Sequence, residues 1–413
     1  MKKKQLAVLL LFTGLRALCA IDEAEYFHNL FAPELRINSL FSQSFLSAVP
    51  EAKIREIIKL YVDNLGLFKK AVVTDEGYEI YFEKGHCPAK IVVGSEKLIT
   101  GLWFGSWNIE GDSWDKIAAD FADLPGVVSV AVTRDGELLV SINPGLPMAV
   151  GSAFKLYVLK ALIGMMDMAT LQMNDVISLK EEWISLPSGI LQDWPAGSLL
   201  TVQSMANLMI SISDNTATDA LIHSAGRETV EAVAPERMKP FLTTKEMFEL
   251  KWGVSDEVRE RFVAADLSGK RRILESLRSF DKNRIRFSPS PKCVQSIEWL
   301  ATTGELCRVI YELRENSAIR INPGLADKKK WHLIGYKGGS EGGVLNYTHV
   351  LQKTPSSPVY CISATINDIE KEVADKDFTA LTGRLIGLAG TEALDKISAA
   401  KSSQVTGENR DRP

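Results

Sequence analysis

The stretch Val150-Gly151-Ser152-Ala153-Phe154-Lys155-Leu156-Tyr157-Val158 runs from a small-residue turn into a helix that continues through Met168 and is apolar nearly all round. Such a helix has no face for water and must be surrounded by other elements, which puts it in the middle of a domain. Its first turn nevertheless carries a serine and a lysine. Lys155 follows Ser152 by three positions, so both side chains leave one helical face. A neutral amine in reach of a hydroxyl accepts its proton, and the unpaired N–H groups of a helix start can hold an oxyanion. The pattern alone is common: Ser398-Ala399-Ala400-Lys401 repeats it in a polar tail. A role for Ser152 therefore depends on partners elsewhere in the chain.

At 413 residues, two domains are expected rather than one. An apolar fraction of 46% and a net charge of -4 describe an ordinary globular chain without the basic excess of a nucleic-acid binder. Met1 to Ala20 differs from the rest, with Lys2-Lys3-Lys4 ahead of the apolar run Leu6 to Phe12. This is the pattern of a signal peptide, and it predicts export to the periplasm or the medium. The run is too short to span a bilayer, and no other stretch approaches the required length. Cys87, Cys293, Cys307 and Cys361 would then meet an oxidising compartment; three full pairings, and free thiols, remain open. No C-x-x-C, H-x-H or H-E-x-x-H spacing is present, so neither a metal nor another cofactor is expected.

Residues 21–110 have the pattern of a small α+β unit, with a helix over Leu46 to Leu67 and short strands at Phe68 to Val73, Tyr78 to Glu83, Lys90 to Val93 and Gly101 to Trp107. Asp63, Asp75 and Tyr78 could in principle do acid or base work there, but they form no partner pattern and are expected at the surface. A second domain, residues 111–390, opens with a helix over Trp114 to Phe121 and a hairpin joined by Arg134-Asp135-Gly136. After the serine stretch, Thr201 caps a helix over Val202 to Ile212, and Asn215 or Thr216 caps another over Ala217 to His223. Thr243-Thr244-Lys245-Glu246 is a capping box. Val258 to Phe280 is helical in period, with Arg259 and Arg271 on a solvated face. Strands at Trp331 to Lys337, Val344 to Leu351 and Val359 to Ile366, then a helix over Asp377 to Leu388, close the domain. Residues 391–413 form a polar tail, disordered past Lys401.

Three elements stand in order: Ser152-x-x-Lys155, Ser213-Asp214-Asn215 and Lys337-Gly338-Gly339. Taken locally, Ser213 and Asn215 are ordinary turn and cap residues. The ordered set, however, resembles the penicillin-recognising serine hydrolases, above all class A β-lactamases, in which S-x-x-K, S-D-N and K-T-G follow one another. The resemblance implies an α+β fold, an antiparallel sheet flanked by helices plus an all-helical subdomain. It also implies roles. Ser152 would be the nucleophile and Lys155 its base; Ser213 would relay a proton to the leaving group; Asn215 would position Lys155 and substrate. Lys337 would attract a substrate carboxylate, with Gly339 and Ser340 lining the subsite. The backbone N–H groups of Ser152 and Ser340 would form the oxyanion hole.

Two departures shape the expected chemistry. Gly338 stands where the family has threonine, removing a hydroxyl that Ser340 could replace. The interval at which the family places its water-activating glutamate leads here to Phe248-Glu249-Leu250-Lys251, and Glu249 is expected on a helix surface. Acylation without prompt deacylation of β-lactams follows. Leu186 to Pro195, Ile210 to Asp219, Thr243 to Lys251 and Lys337 to Glu341 are similar to β-lactamase-related hydrolases of the esterase-like group found in clavulanic acid clusters. That group carries an N-terminal domain similar to the steroid isomerase and NTF2-like fold. The resemblance implies that residues 21–110 serve as a pocket wall or docking unit. The expected function is an exported acyl-serine hydrolase acting on a small ester, amide or β-lactam. An efficient β-lactamase or D-Ala-D-Ala peptidase is one alternative, and a binder or sensor without turnover is the other.

Overall fold

The computed structural model describes residues 24–105, 107–277, 285, 288, 290–391 and 393–394. The signal-like segment 1–20, the Ser398-x-x-Lys401 copy and most of the 391–413 tail lie outside the described residues. The chain divides into two units, residues 1–110 and 111–413. No helix among the described residues is long and apolar enough to cross a membrane.

Among its described residues the first unit contains four helices, α1 (Ala24–Leu30), α2 (Ile37–Leu40), α3 (Gln43–Ala48) and α4 (Glu51–Leu65). Its antiparallel sheet has the order β1 (Phe68–Thr74), β2 (Gly77–Phe82), β3 (Gly85–Val93), β4 (Ile99–Phe104), with β5 (Asn108–Ile109) also paired to β3. The expected helix over 46–67 is two helices, because Pro50 cannot donate within a preceding turn and forces an extended junction, φ -57 and ψ 149, ahead of α4. Ile54, Ile58, Tyr61 and Leu65 form the buried stripe of α4, and the Tyr61 hydroxyl donates to Gly105 O at 3.0 Å. Asp63 pairs with Lys59 on an exposed face, Asp75 is exposed, and Tyr78 packs on Phe27.

The second unit is built on an antiparallel sheet of order β12 (Leu333–Glu341), β13 (Val344–Gln352), β14 (Val359–Asn367), β6 (Val127–Arg134), β7 (Glu137–Ile142). Alternation along its strands sends residues to two cores. Val128, Val130 and Val132 of β6 and Ile362 and Ile366 of β14 join Phe121 of α5 (Trp114–Ala122) and Phe378 and Leu385 of α14 (Asp375–Leu388). Ala131 and Cys361 face the opposite core with α6 (Lys155–Asp167) and the helical region. Tying that region together are β8 (Met148–Ala149) with β11 (Leu300–Ala301), β9 (Val176–Ser178) with β10 (Leu199–Thr201), and helices α7 (Val202–Ser211), α8 (Asn215–Ala225), α9 (Arg227–Val233), α10 (Thr244–Phe248), α11 (Asp256–Ala264), α12 (Leu267–Ser276) and α13 (Thr303–Glu312).

Several expectations change here. The charged segment after Val258 is two helices, and Arg259 is buried rather than solvated. Its guanidinium donates to Leu250 O, Val254 O and Lys251 O at 2.9 to 3.1 Å, three carbonyls that a helix start alone would leave without partners. Arg271 is half-buried and pairs with Glu228 and Glu231. Glu249 is not on a helix surface. It begins a π-helical turn, Glu249–Gly253, that turns its carboxyl inward, leaving it 2% exposed. Cys293, Cys307 and Cys361 form no disulfide, so none of the three possible full pairings is made.

Candidate active site

Ser152 lies in a 3-10 turn, Gly151–Phe154, and α6 starts at Lys155. In a 3-10 turn residues three apart eclipse, so the two side chains still share a side. The turn is fixed on three fronts. Asn367, at the end of β14, accepts from Ala149 N at 2.9 Å and donates to Ala149 O at 3.0 Å. Val150 N donates to Trp299 O at 3.1 Å, and the Trp299 ring stacks on Phe154 at 3.6 Å between centroids. Gly151 adopts φ +47, a conformation that favours glycine. Only the first half of α6 is buried all round. Lys160, midway along, pairs with Glu312, and the last residue, Asp167, is exposed.

Lys155 is fully buried, and its Nζ donates to Asn215 Oδ1 at 2.6 Å, Ser213 O at 2.7 Å and Ser213 Oγ at 3.1 Å. Ser213 has φ +58, unusual for a residue with a side chain. Its carbonyl is held from the other side by Ser188 Oγ, which donates at 2.6 Å. Asp214, not Asn215 or Thr216, caps α8: its carboxylate accepts from Ala217 N at 2.8 Å. The reason is occupancy, since the Asn215 amide is already committed to Lys155 and, as donor, to Leu186 O at 3.1 Å. The second oxygen of Asp214 accepts from Ile190 N and Leu191 N at 2.7 and 2.9 Å. The segment from Leu186 to Leu191 is thereby stitched to the Ser213-Asp214-Asn215 turn.

The third element arrives on the edge strand. Lys337 Nζ donates to Ser213 Oγ at 3.1 Å and to Gly338 O at 2.5 Å. Gly339 lies against the Ser152 turn so closely that a methyl group there would overlap Val150 O and Ser152 N. A methyl on Gly151 would sit 3.0 Å from Ser340 N. The backbone N–H groups of Ser152 and Ser340 are thus brought to one place, while the Ser340 side chain is exposed.

Burial drives the electrostatics. Removal from water, then the Lys337 charge, push Lys155 well below the ordinary lysine range, against the weaker pull of Asp219 and Asp214. Burial lowers Lys337 to about 7. Asp219, raised to about 7 by burial, is held by Thr244 N, Thr244 Oγ1 and Lys245 N at 2.7 to 2.9 Å. Glu249 rises to about 8, chiefly through burial. No cluster among the described residues could hold a metal ion.

Residues 112–267 match the model of the beta-lactamase enzyme family. The second unit carries a beta-lactamase-like domain. No curated protein matches the chain. Among solved structures, this domain is similar to the β-lactamase from Sphaerobacter thermophilus at 19% identity, over 68% of this chain and 97% of that one, with a TM-score of 0.46. An ancestral class A β-lactamase matches at 17% identity over 67% and 98%, TM-score 0.46. A structure of PBP-A matches at 13% identity over 67% and 94%, TM-score 0.44.

Within the beta-lactamase-like domain, Ser213 joins Lys155 to Lys337, Asn215 secures Lys155, and Gly339 and Ser340 abut the Ser152 turn. The sequence did not point to Asn367, Trp299 or Ser188, whose polar atoms act on backbone far away in the chain. Nor did it reveal the buried cluster of Lys251, Glu298 and Glu341. Lys251 Nζ bonds Glu298 and both oxygens of Glu341 at 2.9 Å, immediately beyond Ser340. A lysine five positions after a capping-box glutamate was the available signal.

Proposed function

We propose that this chain is an acyl-serine hydrolase. The observation that carries the reading is the shared hydroxyl: Lys155, at the start of the helix that follows the Ser152 turn, and Lys337 both donate to Ser213 Oγ. Neutral Lys155 keeps two of its donations, to Asn215 Oδ1 and Ser213 O, and with its freed lone pair takes the proton from Ser152 Oγ as that oxygen bonds to the carbonyl carbon of an ester, amide or lactam. The negative charge forming on the carbonyl oxygen is met by Ser152 N–H and Ser340 N–H. The proton then passes from Lys155 through Ser213 Oγ to the leaving group as its bond to carbon breaks. An acyl group is left on Ser152, and water must remove it.

Water activation is the weak step. Asp214 and Asp219, the carboxylates whose charge acts on Lys155, are committed to backbone N–H groups. Deacylation of a β-lactam is accordingly slow, and activated esters are the better substrates. The same commitment supports a second reading, a sensor that is acylated once and not turned over. Efficient β-lactamase or D-Ala-D-Ala peptidase activity is the reading this chemistry favours least. The substrate we infer is small and anionic, since Lys337 supplies positive charge beside the leaving group. Export to the periplasm or the medium rests on the sequence of residues 1–20. Residues 21–110 we read as an NTF2-like pocket wall or docking unit.

Intact-mass spectrometry over time, with a penicillin and an activated ester, tests the reading. An adduct on the wild type that is absent in Ser152→Ala, persisting for the penicillin and decaying for the ester, is the expected result. Ester turnover fully retained in Ser152→Ala would remove Ser152 from the mechanism.

A further inference from the structure

Gly338 is empty of side chain, but the space beside it is not empty. A methyl group on Gly338 would overlap Tyr336 Oη and lie 2.8 Å from Asn346 O. Residues two apart on a strand share a face, so the Tyr336 side chain runs along β12 and delivers its hydroxyl over the Gly338 Cα. The ring is held in that course. It packs on the His349 ring at 4.6 Å between centroids, and the Gly324 turn is so close that a methyl there would sit 2.5 Å from Tyr336 Cδ2. Gly324 takes φ +59, so the turn is suited to glycine on both counts.

The hydroxyl has no hydrogen-bond partner among the described residues, and the side chain is only half-buried. A phenol O–H confined by packing and left without an acceptor is poised for one that comes from outside. Burial, then the neighbouring Tyr347, push its ionisation above the usual tyrosine range, so it stays a donor. One residue away, Lys337 Nζ sits 2.5 Å from the Gly338 carbonyl oxygen. Lys337 leaves the strand on the opposite face from Tyr336, so a cationic and a neutral donor flank the one backbone residue Gly338 at the edge of the sheet.

We propose that the Tyr336 hydroxyl is a substrate-binding group that donates to the anionic group of the substrate beside Lys337, occupying the space that a side chain at position 338 would fill. The inference rests on the acyl-serine reading above, and it makes recognition of the anion a property of two adjacent residues.

The test compares penicillin G with its methyl ester, which acylate with the same acyl group and differ in the carboxylate alone. The rate of Ser152 adduct formation is followed by intact mass for the wild type, Tyr336→Phe and Ser152→Ala. A hydrogen bond to a charged group implies that Tyr336→Phe slows acylation by the free acid about ten-fold or more. The methyl ester should change by less than about two-fold. If both probes slow equally, or neither does, while Ser152→Ala still forms no adduct, the role of Tyr336 is wrong and the nucleophile stands. If Ser152→Ala forms the adduct, the reading beneath the proposal falls with it.

Discussion

Lys155 and Lys337 come from elements far apart in the chain, yet each places its Nζ 3.1 Å from Ser213 Oγ. Two buried ammonium groups at one hydroxyl disfavour each other's charge, so proton occupancy is divided between them. In the proposed mechanism Lys155 works when neutral and Lys337 when charged. The acylation rate should rise with pH as Lys155 loses its proton, then fall as Lys337 does so near 7. A pH profile of acylation by an anionic ester checks this, and Lys337→Arg, which keeps its charge, should lose the alkaline limb.

Stability should move the other way from function at Lys337. Its folded pKa, about 7, lies below the unfolded value of 10.5, so the folded state binds fewer protons between these limits. Stability therefore falls as pH drops from 10.5 to about 7 and levels off below it. Lys337→Met should relieve a penalty on the order of a few kcal/mol at pH 6 and almost none at pH 10.5. Urea unfolding at the two pH values measures the difference, and acylation should be lost in the same variant.

Gly189 has φ +107, and a methyl group there would overlap the Asp214 carboxylate. Gly189→Ala should cost about 2–3 kcal/mol, from backbone strain and displaced hydrogen bonds to Ile190 and Leu191. Because the same turn carries Ser213, acylation should slow by more than the loss of folded protein explains. Urea titration and burst kinetics on the folded fraction separate the two effects.

Which features could be read in advance follows from how local they are. Ser152, Lys155, Ser213, Asn215 and Lys337 could be singled out because each sits in a short motif, and the structure joins the last four by hydrogen bonds. Read locally, charged neighbours put Arg259 on a solvated face; the three carbonyls that bury it depend on how the π-helical turn ends. Glu249 was misplaced for the same reason, since a π turn shifts the direction of a side chain without any marker in the residues themselves. Tyr336 needed the packing of Gly324 and His349 to give its ring a direction.

Lys251 bonds two carboxylates, Glu298 and Glu341, so one negative charge is left over unless a proton is held. Burial, then Glu298, push Glu341 well above the usual carboxylate range, so the pair can hold that proton at neutral pH. Glu341→Gln should mimic that state and keep acylation within about three-fold of wild type. Lys251→Met, which strands buried carboxyl groups, should cost about 3–5 kcal/mol. Urea unfolding reads the second effect, and intact mass the first.

Glu249, raised to about 8, holds its proton in the folded state through a range where the unfolded chain, at 4.5, has lost it. Its contribution to stability is complete below 4.5 and disappears as pH rises through 8. Glu249→Gln should flatten this decline in a thermal unfolding series. Because no bond ties Glu249 to Ser152 or Lys155 among the described residues, steady-state ester hydrolysis should stay within about two-fold.

The two hydrogen bonds between Asn367 and Ala149 span 218 positions of sequence. The clamp on the nucleophile turn cannot close until nearly the whole domain has left the ribosome, and contacts of such separation form late. During synthesis and any passage across a membrane, the serine travels in a chain that does not yet have its oxyanion site. On the acyl-serine reading, Ser152 is made early and would gain its reactivity only when the domain is complete.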